Sequence, residues 1–190
     1  MKFINKNTIE LEKEINEVDE LVFKFVKILE KYTSYVIVSG YVAILLGRDR
    51  GTEDIDIIIP KLDKQKLSVI YDSLIGDGYW CLNSSDIDDL YQLLISKSSI
   101  RFAPEPKVSP NFEIKLSKDS YDDMALKNPI IMRFGHQELK TSFLELQVAF
   151  KEEVLKSNKD IEDANHIRLV AAGHLNENLI NEYRKNLRNR

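Results

Sequence analysis

The segment Asp54-Ile55-Asp56-Ile57-Ile58-Ile59-Pro60 constrains this chain more than any other. A β-branched run closed by proline reads as a buried strand. The pleat then decides which way each residue faces. Asp54 and Asp56 are two apart and share one face, while Ile55, Ile57 and Ile59 take the other and face a core. An aspartate inside such a run is costly to bury unless it is paired or holds a cation. Two neighbouring carboxylates also repel each other, and a divalent cation relieves that repulsion. Oxygen-only ligands of this kind suit Mg²⁺ or Mn²⁺ and not zinc.

The flanking sequence alternates between strand and helix patterns. Leu11, Ile15, Val18, Leu21, Val22, Phe25, Val26 and Leu29 recur at three- and four-residue steps, which predicts an amphipathic helix over roughly residues 8–32. Tyr35-Val36-Ile37-Val38 predicts a strand, Ser39-Gly40 a turn, and residues 41–46 a short helix stopped by Gly47. Helical spacing returns over 62–76 and 86–96, with extended segments at 79–82 and 99–103. Phe112-Glu113-Ile114-Lys115-Leu116 alternates strictly, one apolar face against one charged face.

Residues 119–127 predict one or two helical turns carrying Asp119, Asp122 and Asp123, and 129–134 predict a further strand. From Ser142 onward the chain reads as helix, with further helices over 159–172 and 176–188. Ser142 and Glu145 have capping-box spacing, with Phe143, Leu146, Phe150 and Val154 as the apolar stripe of the helix that follows. The expected fold class is α/β (α+β). A mixed β-sheet core flanked by helices spans 1–140, and a C-terminal helical layer, 141–190, packs on it as one compact unit.

A chain of 190 residues, 43% of them hydrophobic, is long enough to bury such a core. The net charge of −4 argues against nucleic-acid binding through overall basicity, while 27 Lys and Arg leave room for a local basic groove. The single Cys81 excludes a disulfide framework and a cysteine-based zinc site, and is expected to be a core thiol. His136, His166 and His174 are scattered, without carboxylates at metal-ligand spacing. No stretch approaches the ~20 apolar residues of a membrane span and no leader-like run opens the chain, so a cytoplasmic protein is expected.

The turn ahead of the acidic strand supplies the second half of a site. A strand that ends in Ser39-Gly40 and runs into a helix presents free backbone N–H groups, and glycine permits close approach of a phosphate. Arg48, Arg50 and Thr52 lie on the connection to Asp54, the two arginines either as ordinary loop charges or as specific ligands. Tyr41 is either a hydrophobic plug or a ring that stacks a base.

The run Val38-Ser39-Gly40-Tyr41-Val42-Ala43, followed by Arg50-Gly51-Thr52-Glu53-Asp54-Ile55-Asp56-Ile57, resembles the signature of the DNA-polymerase-β-like nucleotidyltransferase superfamily. That signature is a hydrophobic strand, a Gly-Gly or Gly-Ser turn (here Ser-Gly) and a later Asp-x-Asp or Asp-x-Glu. The chain looks closest to the small prokaryotic branch that includes abortive-infection toxin nucleotidyltransferases. Lys151, Lys159, Asp160 and Asp163 are similar to that branch's C-terminal lysine and aspartate motifs.

The resemblance implies a metal-dependent enzyme that moves a nucleoside monophosphate from a nucleoside triphosphate, ATP foremost, to a hydroxyl, releasing pyrophosphate. Asp54, Asp56 and a third carboxylate, Glu113, would be the catalytic and metal-binding residues, with Glu113 helping to deprotonate the attacking hydroxyl. Ser39, Gly40, Arg48, Arg50, Thr52, Lys115, Lys151 and Asp160 would contact the nucleotide. The acceptor would be an RNA end, a protein hydroxyl or a small molecule. Acidic balance favours the latter two over long nucleic acid. Glutamate in place of the commoner aspartate at the third position implies an alternative: a weak or inactive nucleotide-binding module acting through a protein partner, as in a toxin–antitoxin pair. The amphipathic terminal helices could supply an interface to that partner or to a second copy.

Overall fold

The computed structural model describes residues 1–189. The chain begins with β1 (Lys2–Asn5), β2 (Thr8–Glu10), α1 (Glu17–Leu29), β3 (Val36–Val38), α2 (Gly40–Leu45) and β4 (Asp54–Ile59). It continues through α3 (Lys64–Gly76), β5 (Tyr79–Cys81), α4 (Ile87–Ile95), β6 (Ile100–Pro104), β7 (Asn111–Leu116) and α5 (Ser120–Lys127). The hairpin β8 (Ile130–Phe134) and β9 (Gln137–Thr141) follows. The chain then enters α6 (Leu144–Phe150), a π-helical turn (Lys151–Leu155), α7 (Asn158–Val170) and α8 (Glu177–Arg188).

The described strands form one mixed sheet in the order β1-β2-β8-β9-β3-β4-β7-β6-β5. β4 sits inside it, antiparallel to β3 and parallel to β7, in register from Asp54 opposite Asn111 to Ile59 opposite Leu116. Ile55, Ile57 and Ile59 are fully buried, and the two aspartates lie on the opposite face, half-buried. The buried face is covered by α1, whose Phe25 ring stacks on Phe112 of β7 at 3.9 Å. Helix α6 packs on both α7 and α8, and α7 also packs against α2. The mixed α/β class and the C-terminal helices are as expected from the patterning.

Three local expectations are corrected. The predicted helix over 8–32 is really β2, paired with β1 in a hairpin, followed by a helix that starts only at Glu17. The Asn16 side chain accepts from Asp19 N–H while the Asp19 carboxylate accepts from Asn16 N–H, a reciprocal cap that fixes the start there. Ile9 and Leu11 are buried by the sheet, because β2 pairs with β8. Strand β9 was not foreseen: Gln-Glu-Leu-Lys-Thr buries only Leu139 and Thr141, so its alternation is faint.

The capping box of Ser142 and Glu145 does not form. Phe143 occupies the cap position without a side-chain bond, and Glu145 Oε1 accepts from Asn176 N–H at 3.1 Å instead. The predicted apolar stripe is also out of phase. Leu144, Leu146, Val148 and Ala149 are buried, whereas Phe150 and Val154 are exposed. The wider π-helical turn accompanies this shift, with Lys151 and Glu153 inside and Val154 and Leu155 outside. Among the described residues no helix is long and apolar enough to cross a membrane.

Candidate active site

Register brings the acids together. Asp54 and Asp56 project from β4, and Glu113 on the parallel neighbour β7 stands directly opposite Asp56. Lys115, two residues on from Glu113, shares its face. Its Nζ lies 2.7 Å from Asp56 Oδ1 and 2.8 Å from Glu113 Oε1. Arg101 of β6 is opposite Glu113 in turn and donates from Nε to Oε2 at 3.1 Å. Three carboxylates on two strands therefore share a face, with an ammonium between two of them.

The electrostatics differ from one acid to the next. Burial and then the charges of Asp56 and Glu113 push the Asp54 carboxyl above its usual range. Burial also acts to raise Glu113, but hydrogen bonds from Lys115, Ser99 and Arg101 outweigh it and hold the carboxyl below its usual range. Burial opposes the Lys115 ammonium, yet Asp56 and Glu113 more than compensate and hold it above the usual value for lysine. Glu113 is thus stabilised as a carboxylate, and Asp54 is the acid with the least cationic support.

The chemistry of the donor set suits a hard divalent cation: three carboxylates on one face, Asp56 in register with Glu113, and Asp54 raised by burial and then by its like-charged neighbours. As the side chains stand, no group of three His, Cys, Asp or Glu among the described residues closes on a common point. The cation now between Asp56 and Glu113 is Lys115. Thr52 Oγ1 donates to Asp54 O at 2.7 Å, which fixes the entry to β4, and reaches the Asp54 carboxylate at 3.5 Å.

The turn between β3 and α2 is built unexpectedly. Ser39, not Gly40, takes the positive φ of 66°, and its N–H donates to Gln147 Oε1 at 3.1 Å. Gly40 opens α2, and a Cβ there would lie 2.9 Å from Nη2 of Arg50. The space that glycine leaves holds the arginine guanidinium. Arg50 Nη1 and Lys151 Nζ each lie 2.8 Å from Asp163 Oδ2, and Arg48 bonds the other oxygen of that fully buried carboxylate. Arg48 also reaches Glu162 and the carbonyl of Lys159.

Asp160 lies 3.5 Å from Lys151 Nζ. Burial pulls Lys151 down to about 8, which Asp160 opposes and Arg50 reinforces. Arg48, Arg50 and Lys151 thus form one cluster around Asp163, beside the Ser39 turn.

A cleft of about 340 Å³ joins these parts. Ser39, Asp56, Lys115 and Lys151 line it together with the apolar Ile58, Leu146, Phe150 and Val154, and Lys118, Asp119 and Asp122 are also on its wall. Tyr41 is outside it: the ring is 1% exposed and its hydroxyl donates to Asp19 Oδ1 at 2.6 Å, so it is a plug and not a base-stacking ring. His166 meets Leu46 O, and His174 stacks on Phe3. Cys81 is a free thiol, half-buried and not fully in the core. Sequence reading passed over Arg101, Gln147 and the central role of Asp163. Asp163 was legible only as part of the lysine–aspartate segment, and the other two carried no local signal.

No protein-family model matches the chain, and no curated protein matches it. Solved structures do. The chain resembles ANT(2")-Ia in complex with adenylyl-2"-tobramycin at a TM-score of 0.55 and 12% identity, over 90% of this chain and 96% of that one. It also resembles the lincosamide antibiotic adenylyltransferase LnuA, lincomycin-bound, at 0.50 and 15%, over 83% and 99%. An antigenic nucleotidyltransferase-like protein from Paracoccidioides brasiliensis matches at 0.54 and 16%, over 90% and 87%. The fold of this chain is that of these nucleotidyltransferases.

Proposed function

We propose that this chain is a nucleotidyltransferase that moves a nucleoside monophosphate from a nucleoside triphosphate, ATP foremost, to a hydroxyl acceptor. The observation that carries the reading is the register of β4 and β7. It sets Asp54, Asp56 and Glu113 on one face, and Asp56 lines a cleft whose wall also holds Ser39, Lys115 and Lys151. The fold shared with adenylyltransferases supports nucleotidyl transfer and ATP. The lysine–aspartate segment from Lys151 to Asp163 supports the abortive-infection branch within it.

Asp54 and Asp56, with Glu113, would hold Mg²⁺ or Mn²⁺, which neutralises triphosphate charge. The acceptor oxygen bonds the α-phosphorus, the bond from that phosphorus to the bridging oxygen breaks, and pyrophosphate leaves with its electron pair. The acceptor proton passes to a carboxylate of the cluster. Glu113 takes that role once Lys115 leaves it for a phosphate oxygen, since loss of the ammonium raises its proton affinity. The N–H groups at the start of α2, past the Ser39 N–H that Gln147 already takes, and the Lys151 ammonium hold the triphosphate. Catalysis here is positioning and charge neutralisation.

Calorimetry with the four common triphosphates and Mg²⁺, followed by transfer of α-phosphate label to a panel of small hydroxyl compounds, proteins and RNA ends, tests the reading. Binding that disappears in Asp56→Ala is expected. No triphosphate binding in the presence of Mg²⁺ would overturn it. The grip of Lys115 and Arg101 on Glu113 favours a second reading, a nucleotide-binding module without turnover. Pyrophosphate release abolished by Glu113→Ala excludes that one.

A further inference from the structure

Ser142 follows β9, and its N–H donates to Ile37 O at 3.0 Å, which carries the strand pairing to within two residues of α6. The side chain is completely buried, and its Oγ meets no hydrogen-bond partner. Buried hydroxyls without partners are uncommon, because such a group gives up its contacts with water for nothing. Asn111 Oδ1 is the other such atom among the described residues, but only Ser142 lines the cleft of about 340 Å³. The sequence offers Ser142 a cap to make at α6, and the fold does not use it.

Gln147, one turn into α6, lines the same cleft. Its Oε1 is committed to Ser39 N–H, and only an amide oxygen can accept there, so the NH₂ is the end left for another partner. The same wall carries the apolar Leu146, Phe150 and Val154, with Phe150 37% and Val154 45% exposed, and the charged Lys118, Asp119 and Asp122. Charged groups that suit phosphate, Lys115 and Lys151, line the cleft beside Ser39. One cavity therefore offers cations and a backbone turn together with two neutral hydrogen-bonding groups and an apolar and aromatic surface. That combination suits a triphosphate carrying an uncharged, flat heterocycle.

We propose that Ser142 and Gln147 hydrogen-bond the base of the nucleoside triphosphate, which lies against Leu146, Phe150 and Val154. The inference rests on the nucleotidyltransferase reading and adds to it the seat of the base. Gln147 then couples the two ends of the ligand, holding the Ser39 turn with its oxygen and the base with its nitrogen. Because Oε1 is fixed, the base presents an acceptor atom to Gln147.

Dissociation constants of the whole chain for Mg²⁺ with each nucleoside triphosphate, and for Mg²⁺ with inorganic tripolyphosphate, test this. Wild type should bind at least one nucleoside triphosphate more tightly than tripolyphosphate. Ser142→Ala should weaken that nucleotide about fivefold to tenfold, the loss of one hydrogen bond. It should leave tripolyphosphate within about twofold and should not lower the melting temperature of the free protein, since an unpaired hydroxyl is removed. Phe150→Ala, at an exposed position, should also weaken the nucleotide and spare tripolyphosphate.

Equal wild-type affinity for nucleotide and tripolyphosphate would overturn the base seat while leaving nucleotidyl transfer standing. So would unchanged nucleotide affinity in both variants, including the case where only acceptor affinity moves. If neither tripolyphosphate nor any nucleotide binds, the underlying reading fails and this inference with it.

Discussion

Lys115 Nζ lies 2.7 Å from Asp56 Oδ1, across two parallel strands, and the same nitrogen reaches Glu113. The ammonium therefore stands where a cation has most to gain, between carboxylates that would otherwise repel each other. A divalent ion at Asp56 and Glu113 must displace it, and a bound triphosphate gives it somewhere to go.

Lys115→Met should make this exchange measurable. The free variant should lose about 1–3 kcal/mol, because the half-buried Asp56 and the buried Glu113 lose their charged partner. Millimolar Mg²⁺ should raise its melting temperature by more than it raises that of wild type, since no ammonium competes. Melting curves with and without Mg²⁺ decide it, and no Mg²⁺ effect on either protein would contradict the expectation.

Asp163→Ala should be among the most damaging single changes, at about 3–5 kcal/mol, since it strands the buried Lys151 beside two arginines. Adding Lys151→Met should recover part of the stability. Tripolyphosphate binding should not recover. Chemical denaturation of the single and double variants, with a binding assay on the double, separates the two effects.

Anion affinity should fall as pH rises through about 8. Burial holds Lys151 at about that value, below the usual lysine range, so its charge is present at pH 7 and mostly gone by pH 9. Tripolyphosphate titrations across this range should show the loss, and Lys151→Met should flatten it. A bound anion favours the ammonium, so the midpoint should move upward as ligand is raised.

Ser39→Gly should stabilise the free protein by about 1 kcal/mol, because serine pays for a φ of 66° that glycine adopts freely. Gly40→Ala should do the reverse, since its Cβ displaces the Arg50 guanidinium. Thermal denaturation reads both.

Acid should loosen the C-terminal helices. Hydrogen bonds from Arg188 lead, with Arg184 adding to them, in drawing Glu153 down to about 2, against the opposing effect of burial. The folded value lies below the unfolded one, so this stability is present above the ordinary glutamate range and is lost as pH falls toward 2. Glu153→Gln should unfold more readily at pH 7 and should show a shallower acid transition, followed by circular dichroism.

Much of the fold was legible because periodicity is local. The acid–isoleucine alternation of β4 correctly assigned both faces, and the alternation at 112–116 put Glu113 and Lys115 together. The same method overextended α1, since Leu11, Ile15 and Val18 keep helical spacing although Leu11 is buried by the sheet and Ile15 is exposed. It also misplaced the face of α6, because a π-helical turn changes the period partway through. Nothing local distinguished Ser142 as a cap from Ser142 as an unpaired hydroxyl.

The sequence by itself determined which residues share a face: Asp54 with Asp56, and Glu113 with Lys115. The backbone repeat dictates that, whatever the strands pack against. Tertiary structure alone decided the partners. Arg48 meets Asp163 from 115 residues away, Ser39 meets Gln147 from 108, and Tyr41 is turned inward to Asp19. Such pairings depend on sheet register and on how α7 and α6 pack beside α2 and β3, and no short-range period encodes either.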